Sequence, residues 1–252
     1  MSDQTRDLPF GIDFGGSGIK GAPVDLEAGD FAAERVRIKT PKPSTPEAVA
    51  GVFAELLASF DDSTGSVGVT VPAVVRHGVV SSAANIDASW IGTDADALFT
   101  KATGRDVHVV NDADAAGLAE VRYGAAMGRG GLVIVTTLGT GIGSAIVYDG
   151  VLVPNSELGH LEIDGHDAET QASFSAKERE GLSWKSWAKR LQVYYSRVEA
   201  LFSPALFVVG GGVSKESTEF LPLLKLNTPI VPAEHRNNAG ILGAAWLAAR
   251  PR

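Results

Sequence analysis

Two short glycine-rich stretches decide the fold: DFGGSG at residues 13–18 and LGTGIG at residues 138–143. Each follows an apolar, strand-like run, and each leads into a second such run, at residues 19–24 and 145–148. A strand–turn–strand hairpin used twice predicts two related lobes. Because glycine has no Cβ, backbone N–H groups in such turns can approach the oxygens of a phosphate closely. The two stretches therefore predict a phosphate chain bound by two lobes.

The glycines also have a plainer explanation, since tight hairpins need residues that tolerate unusual backbone geometry. Neither stretch matches the P-loop pattern, because Gly-Lys-Ser/Thr does not follow at the required spacing. The second differs from the dinucleotide fingerprint in its spacing, and it leads into a strand where that fingerprint needs a helix. Two matched copies, together with a third glycine run at residues 210–212, favour phosphate binding over plain turns.

Composition narrows the class of protein. The chain has 252 residues, 44% of them hydrophobic and 21% charged, which is ordinary for a soluble globular protein. It has no cysteine, which excludes disulfides and thiolate metal sites and fits a reducing cytoplasm. No apolar run approaches the roughly 20 residues of a membrane span, and no signal peptide is visible. The net charge of −8 argues against general nucleic-acid binding. We expect a cytoplasmic protein without nucleic-acid or membrane partners.

The order of predicted elements, βββαβα repeated loosely twice, predicts an α/β protein with mixed sheets in two lobes and a cleft between them. We place the N-terminal lobe at residues 1–110 and the C-terminal lobe at 111–238, with a final helix (239–252) packing back on the first lobe. Capping patterns predict helices at residues 46–60 and 94–103. A long helix at 182–202 presents one apolar face: Trp184, Trp187, Ala188, Leu191, Tyr195, Val198 and Leu201.

Asn111 and Asp112 follow an apolar strand at residues 107–110 and precede an alanine-rich helix. In open α/β sheets, ligand sites collect at the carboxyl ends of strands. Asp112 could therefore act as a general base on a substrate hydroxyl. The alternative is a helix N-cap, a position that Asn and Asp fill well. Asp114 is the better candidate for a pure helix-start residue, because it is farther from the strand.

Glu157 and His160 flank Gly159 at a spacing of three residues. A carboxylate and an imidazole so placed can bind adjacent hydroxyls of a sugar, because Glu accepts hydrogen bonds and His donates or accepts them. The same spacing could serve a metal, although other obvious ligands are lacking. A surface loop without a role is the third alternative.

Six cations cluster within residues 177–197 of this acidic chain: Lys177, Arg179, Lys185, Lys189, Arg190 and Arg197. A solvated helix face is the ordinary explanation of such a run. The functional alternative is a polyphosphate track, in which Lys185, Lys189 and Arg190 contact successive phosphates.

Taken together, these residues resemble the sugar kinases of the ROK family, within the actin-like and hexokinase-like ATPase superfamily. Residues 13–17 and 138–143 are similar to the family's two phosphate motifs. Asn111-Asp112 matches its catalytic pair, 157–160 its sugar-binding Glu-x-Gly-His, and 208–213 the segment beside the adenosine. Most members carry a cysteine-rich zinc motif, which residues 165–176 replace here. Three features resemble the polyphosphate glucokinase branch: the missing zinc motif, the stretch GGSGIKGAPVD at residues 15–25, and Asn85-Ile86-Asp87.

The resemblance implies phosphoryl transfer from inorganic polyphosphate, ATP or both to the 6-hydroxyl of glucose, with mannose as an open second acceptor. Asp112 is then the general base. The residues implied to bind the sugar are Asn85, Asn111, Asp112, Glu157, His160 and, least securely, Glu169. Those implied to bind donor phosphates or nucleotide are Gly15, Gly16, Ser17, Gly18, Lys20, Thr140, Gly141, Gly211 and Gly212. Asp13 is expected to position Mg²⁺ through water, and no zinc is expected.

Two other functions stay open. One is a strictly ATP-dependent ROK hexokinase, and the other is a sugar sensor without catalysis, since relatives include repressors. A DNA-binding module is not expected, because few residues precede the first predicted strand. The sequence leaves open the preference between glucose and mannose, the preference between donors, and assembly as a homodimer.

Overall fold

The computed structural model describes residues 7–60, 63–83 and 86–250. These residues form two compact units, and each unit has its own mixed sheet. The first comprises the described residues up to Ala115 together with those from Asn238 onward, and the second is Ala116–Asn237. The division falls inside a helix, beyond the boundary that we placed after residue 110. Within the described ranges, no helix has both the length and the apolar character needed to cross a bilayer.

The first unit holds eight strands among the described residues: β1 (Phe10–Gly15), β2 (Gly18–Asp25), β3 (Asp30–Phe31), β4 (Val36–Ile38), β5 (Val67–Val71), β6 (Val75–Arg76), β7 (Val79–Val80) and β8 (Val107–Asn111). Its helices are α1 (Pro46–Ala58), α2 (Ala95–Thr103) and the start of α3 (Asp112–Tyr123), which continues into the second unit. The main sheet has the order β3-β2-β1-β5-β8, with β4 also paired to β2. Strand β2 is antiparallel to β1, whereas β5 and β8 follow in parallel.

Local signals explain the first two helices. Thr45 caps α1 by accepting a hydrogen bond from Ala48 N at 3.4 Å, and Pro46 follows at the first helical position. Asp94 caps α2 in the same way, and Gly104 ends that helix with a φ of 68°. Both helices confirm the predictions and pack on the sheet face that buries Phe10, Ile12 and Phe14.

The second unit holds seven strands: β9 (Leu132–Leu138), β10 (Ile142–Tyr148), β11 (Val151–Val153), β12 (Glu162–Ile163), β13 (His166–Asp167), β14 (Leu206–Gly210) and β15 (Ile230–Pro232). Its own helices are α4 (Ala168–Ala172), α5 (Phe174–Arg179), α6 (Trp184–Phe202) and α7 (Ser217–Phe220). The sheet order is β11-β10-β9-β14-β15, with an antiparallel hairpin followed by two parallel strands. The second sheet thus repeats the β2-β1-β5-β8 order of the first, which confirms the repeated pattern.

Helix α6 differs from its prediction at one end. Its buried residues are Trp187, Ala188, Leu191, Tyr194, Tyr195 and Val198. Leu201 was predicted on this apolar face, but its exposed fraction is 58%. The prediction was wrong because the core of the unit receives no α6 side chain beyond Val198, and the helix ends at Phe202. Tyr194, which the apolar face did not include, is buried instead.

The last helix, α8 (Ala239–Ala248), belongs to the first unit and lies against β1 and β5. Two glycines permit this contact. A Cβ on Gly11 would meet the carbonyl oxygen of Ile241, and one on Gly68 would meet that of Ala244. The helix therefore packs directly on the backbone of these strands.

Candidate phosphate and sugar sites

Three glycines lie in open surroundings and have ordinary backbone angles: Gly16, Gly139 and Gly212. Beyond its chain neighbours, a Cβ at any of them would meet no atom within 4 Å, and none has a φ in the left-handed region. Gly51 shares both properties but lies on the exposed side of helix α1, whereas these three lie in or beside the glycine turns. Neither packing nor backbone geometry within the described residues therefore explains the absence of a side chain. Bare backbone beside open space is what the close approach of a phosphate needs.

The remaining predicted phosphate residues lie in or beside the same turns. Strand pairing closes the first hairpin at Gly15 and Gly18, so that Gly16 and the exposed Ser17 form its tip. In the second hairpin Leu138 pairs with Ile142, which places Thr140 at an exposed tip. Gly211 has its own structural reason, because its φ is 83° and a Cβ there would meet the backbone of Leu138.

Asp13 is held by two neighbours on the first sheet. Its Oδ2 lies 3.4 Å from Lys20 Nζ, and its Oδ1 accepts a hydrogen bond from the Thr70 hydroxyl at 3.0 Å. The Thr70 hydroxyl also accepts from Phe14 N at 3.2 Å. A carboxylate oxygen is a ligand type that Mg²⁺ prefers, and Asp13 retains 20% side-chain exposure. The donor chemistry at Asp13 therefore fits the magnesium ion that the sequence predicts.

Arg37 is a cation at the first turn that the sequence did not indicate. Its Nη2 donates to the carbonyl oxygen of Ser17 at 2.9 Å. Its guanidinium also occupies the space that a Cβ on Gly18 would need. Arg37 lies directly opposite Lys20 in the β2–β4 pairing. Only this tertiary pairing brings the two cations together.

Asn111 and Asp112 both accept hydrogen bonds from the start of α3, and Asp112 Oδ1 accepts from Ala113 N at 2.9 Å. Asn111 Oδ1 accepts hydrogen bonds from Ala113 N at 2.8 Å and Asp114 N at 3.1 Å, so that Asn111 caps helix α3. Asn111 Nδ2 also donates to Ala73 O at 3.1 Å. Asp112 is the first residue of α3, at the carboxyl end of a parallel strand. Asp114 is almost fully buried in the first helical turn, with 1% exposure.

The predicted sugar residues of the second unit converge on His160. Its Nε2 lies 4.0 Å from Glu157 Oε2, and its Nδ1 lies 4.0 Å from Glu169 Oε1. A third carboxylate, Asp167, is closer, with 3.2 Å between its Oδ2 and Nδ1. The sequence did not indicate Asp167, which lies in the short β12–β13 hairpin.

Glu169 also connects this cluster to the second glycine turn. Its Oε2 accepts a hydrogen bond from Ile142 N at 3.0 Å. A Cβ on Gly141 would meet this carboxylate, and one on Gly159 would lie 3.2 Å from it. A side chain at residue 141 would therefore displace the carboxylate of Glu169, which lies in the first turn of α4.

Burial and neighbouring charges shift the pKa values of His160 and Glu157. The pKa of His160 is raised, chiefly by the hydrogen bond to Asp167 and further by the charges of Glu169 and Glu157. The pKa of Glu157 is raised chiefly by burial, with Glu169 adding to the shift and His160 opposing it. The raised pKa extends to higher pH the range in which the imidazole of His160 is protonated.

Of the three cations predicted to form a polyphosphate track on α6, Arg190 is already engaged in an ion pair. Arg190 donates to both carboxylate oxygens of Glu180, at 3.1 and 2.5 Å, and Arg179 shares that carboxylate at 3.2 Å. Lys185 and Lys189 are exposed. Asn85 lies outside the described residues. In the described part of the chain, no group of three His, Asp or Glu side chains could hold a metal ion.

Comparison with known proteins gives a consistent result. The profile of the ROK family matches residues 9–177. The polyphosphate glucokinase of Mycobacterium tuberculosis is 50% identical over 237 residues, which cover 94% of this chain and 89% of that protein. The crystal structure of inorganic polyphosphate/ATP-glucomannokinase from Arthrobacter sp. strain KM is 59% identical, with a TM-score of 0.92 and coverage of 96% of this chain and 99% of that one.

A structure with lower sequence identity has a similar fold. A ROK family glucokinase from Streptomyces griseus, solved in complex with glucose and AMPPNP, is 25% identical, with a TM-score of 0.80. The alignment covers 96% of this chain and 99% of that one. These neighbours confirm the predicted α/β, two-lobed hexokinase-like fold class. The chain belongs to the ROK family.

Proposed function

We propose that the protein transfers a phosphoryl group from inorganic polyphosphate or ATP to the 6-hydroxyl of glucose. The observation that carries the proposal is the bare backbone at Gly16, Gly139 and Gly212, in a chain half identical to a polyphosphate glucokinase. No described atom beyond the chain neighbours fills the space beside these glycines, which a phosphate donor could use. The Gly139 backbone itself is engaged, because its N–H donates to Gly141 O and its carbonyl accepts from Ser175 N, both at 3.0 Å. The predicted cytoplasmic location agrees with such a reaction.

On the acceptor side, Asp112 takes the proton of the 6-hydroxyl as that oxygen attacks phosphorus. A new O–P bond forms, and the bond from phosphorus to the remaining polyphosphate or ADP breaks. Asn111 positions Asp112 by capping α3 and adds its amide to sugar binding. Glu157 and Glu169 accept hydrogen bonds from ring hydroxyls, and His160 donates or accepts one. Asn85 is assigned to the sugar by resemblance alone.

On the donor side, the backbone of the two turns and of the third glycine run contacts phosphate oxygens. The residues are Gly15, Gly16, Ser17, Gly18, Thr140, Gly141, Gly211 and Gly212. Lys20 supplies charge, since phosphoryl transfer needs positioning and charge neutralisation more than covalent chemistry. Asp13 would hold Mg²⁺ through water, and the ion when bound neutralises charge on the donor phosphates.

Mannose is a second proposed acceptor. The Arthrobacter structure is described as a polyphosphate/ATP-glucomannokinase, which supports both the wider sugar range and the use of two donors. The Streptomyces griseus glucokinase was solved with AMPPNP, which supports a nucleotide as donor.

A donor-by-sugar activity matrix tests the proposal. Purified protein is incubated with glucose, mannose or galactose, each with long-chain polyphosphate or ATP, and hexose 6-phosphate is measured. We expect product from glucose and mannose with both donors. Product from ATP alone would indicate the strictly ATP-dependent kinase, and sugar binding without product from either donor would indicate the sensor.

A further inference from the structure

Strand β4 and its flanks present three cations on one face. Arg35, Arg37 and Lys39 alternate with Val36 and Ile38, which pack against the core of the first unit. Arg37 lies inside β4 and therefore points away from Val36 and Ile38. Arg35 and Lys39 lie one residue beyond the two ends of the strand, and continuing the alternation places them on the same side as Arg37. Same-face neighbours on a strand are about 6.7 Å apart, so the row extends for about 13 Å.

The row begins at the first glycine turn. Thr40, next to Lys39, donates its hydroxyl hydrogen to Gly15 O at 2.5 Å, and Arg37 donates to Ser17 O at 2.9 Å. Lys20 lies directly opposite Arg37 on β2, at the spacing of about 4.8 Å between neighbouring strands. The row is therefore continuous with the Lys20 ammonium that the proposed function assigns to the donor.

The charges of this row are not balanced by carboxylates. Asp13 pairs with Lys20, but no described carboxylate lies within 4.0 Å of Arg35, Arg37 or Lys39. Arg35 instead donates to the side-chain oxygen of Asn238 at 2.9 Å. Arg37 and Lys39 are exposed. The corresponding cation on α6, Arg190, has Glu180 as its partner.

We propose that Arg35, Arg37 and Lys39 bind the non-reacting part of a long polyphosphate chain whose reacting end lies at the first glycine turn. The inference rests on the proposed function and names the residues that select the long donor. Polyphosphate carries negative charge along its whole length, so successive phosphates can contact successive cations. ATP carries an uncharged nucleoside after its three phosphates, and tripolyphosphate has no group beyond its three phosphates. Only a long chain can occupy the whole row.

The test uses the double variant Arg35→Gln/Lys39→Gln (the β4 pair), which keeps the bond from Arg37 to the glycine turn, with Lys185→Gln/Lys189→Gln on α6 as the matched control. Steady-state KM is measured for long-chain polyphosphate, tripolyphosphate and ATP at saturating glucose. The β4 pair is expected to raise KM for the long chain about tenfold, the size expected for two lost charge contacts, and to change the other two KM values less than about twofold. The α6 pair is expected to leave all three KM values nearly unchanged. Lys39→Arg is expected to retain wild-type KM, since it keeps the charge.

Salt provides a second readout, because exposed charges are screened as ionic strength rises. The wild-type KM for long-chain polyphosphate should increase with added salt, and the β4 pair should respond less. An unchanged KM for the long chain, an equal change for ATP and tripolyphosphate, or a shift only in the α6 pair would overturn the assignment.

Two experiments distinguish failure of the proposed function from failure of the cation-row assignment. If the wild-type protein forms no hexose phosphate from polyphosphate, the proposed function fails. Binding of end-labelled long-chain polyphosphate, measured by fluorescence anisotropy without sugar, still tests the row directly. Equal affinity of the wild-type protein and the β4 pair would then refute it, whereas weaker binding by the β4 pair alone would support it.

Discussion

His160 illustrates how single residues set the chemistry of the second unit. One imidazole lies within 4.0 Å of carboxylate oxygens from Glu157, Asp167 and Glu169. The spacing of Glu157 and His160 was visible in the sequence, and Glu169 came from the resemblance. Asp167 was not predicted, because its role depends on a two-residue strand pair that leaves no periodic pattern.

Asp167→Asn is predicted to lower the pKa of His160, because the hydrogen bond to Asp167 is the main cause of its elevation. A raised pKa of a histidine stabilises the folded protein at pH below the unfolded value of about 6.5, and this contribution is lost as pH rises through the folded pKa. The variant should reduce that contribution. NMR titration of the His160 ring gives the pKa directly.

Asp164→Asn is the matched control for this titration. Asp164 lies in the same hairpin, is exposed and has a φ of 53°, which asparagine also tolerates. It should leave the pKa of His160 unchanged. An unchanged pKa in Asp167→Asn would show that the hydrogen bond does not control the imidazole.

At the scale of elements, β8 passes directly into α3 at Asn111 and Asp112. Asn111 supplies the cap and also bonds to Ala73, so one side chain fixes the start of the helix. The sequence indicated that Asn111-Asp112 was either a cap or a catalytic pair. The structure assigns the cap to Asn111, while the general-base role of Asp112 stays a prediction.

Asn111→Ala is predicted to lower the free energy of unfolding by about 1–2 kcal/mol, because it removes the cap and leaves Ala73 O without this donor. It should also lower kcat, since Asp112 follows directly. Asn111→Asp separates the two contacts, because it keeps the capping oxygen but loses the donor to Ala73 O. Urea unfolding and steady-state kinetics provide the measurements. Wild-type stability in Asn111→Ala would contradict the capping role.

The predictability of elements follows the strength of their local signals. Helices α1 and α2 were predicted well, because Thr45, Pro46, Asp94 and Gly104 mark their ends. Strand β15 was missed because it has three residues, ends in proline and is held by pairing with the distant β14. Helices α4 and α5 were missed because each is too short for a clear helical period.

At the scale of the whole molecule, the two glycine stretches predicted the repeat correctly. Each lies between the first two strands of a sheet, and the two sheets have the same order from that hairpin onward. Contacts between distant segments could not be predicted from one sequence. The contact of α8 with Gly11 and Gly68 and the bond from Arg37 to Ser17 both join residues that carry no shared pattern.

The central claim is that this molecule phosphorylates glucose from polyphosphate with Asp112 as the base. The most direct measurement is glucose 6-phosphate formation from long-chain polyphosphate in nucleotide-free buffer, by the wild-type protein and by Asp112→Asn. The account predicts product from the wild-type protein and a kcat lower by about 10²–10⁴ in the variant, with unchanged Tm. No product from the wild-type protein, or near wild-type kcat in the variant, would contradict it.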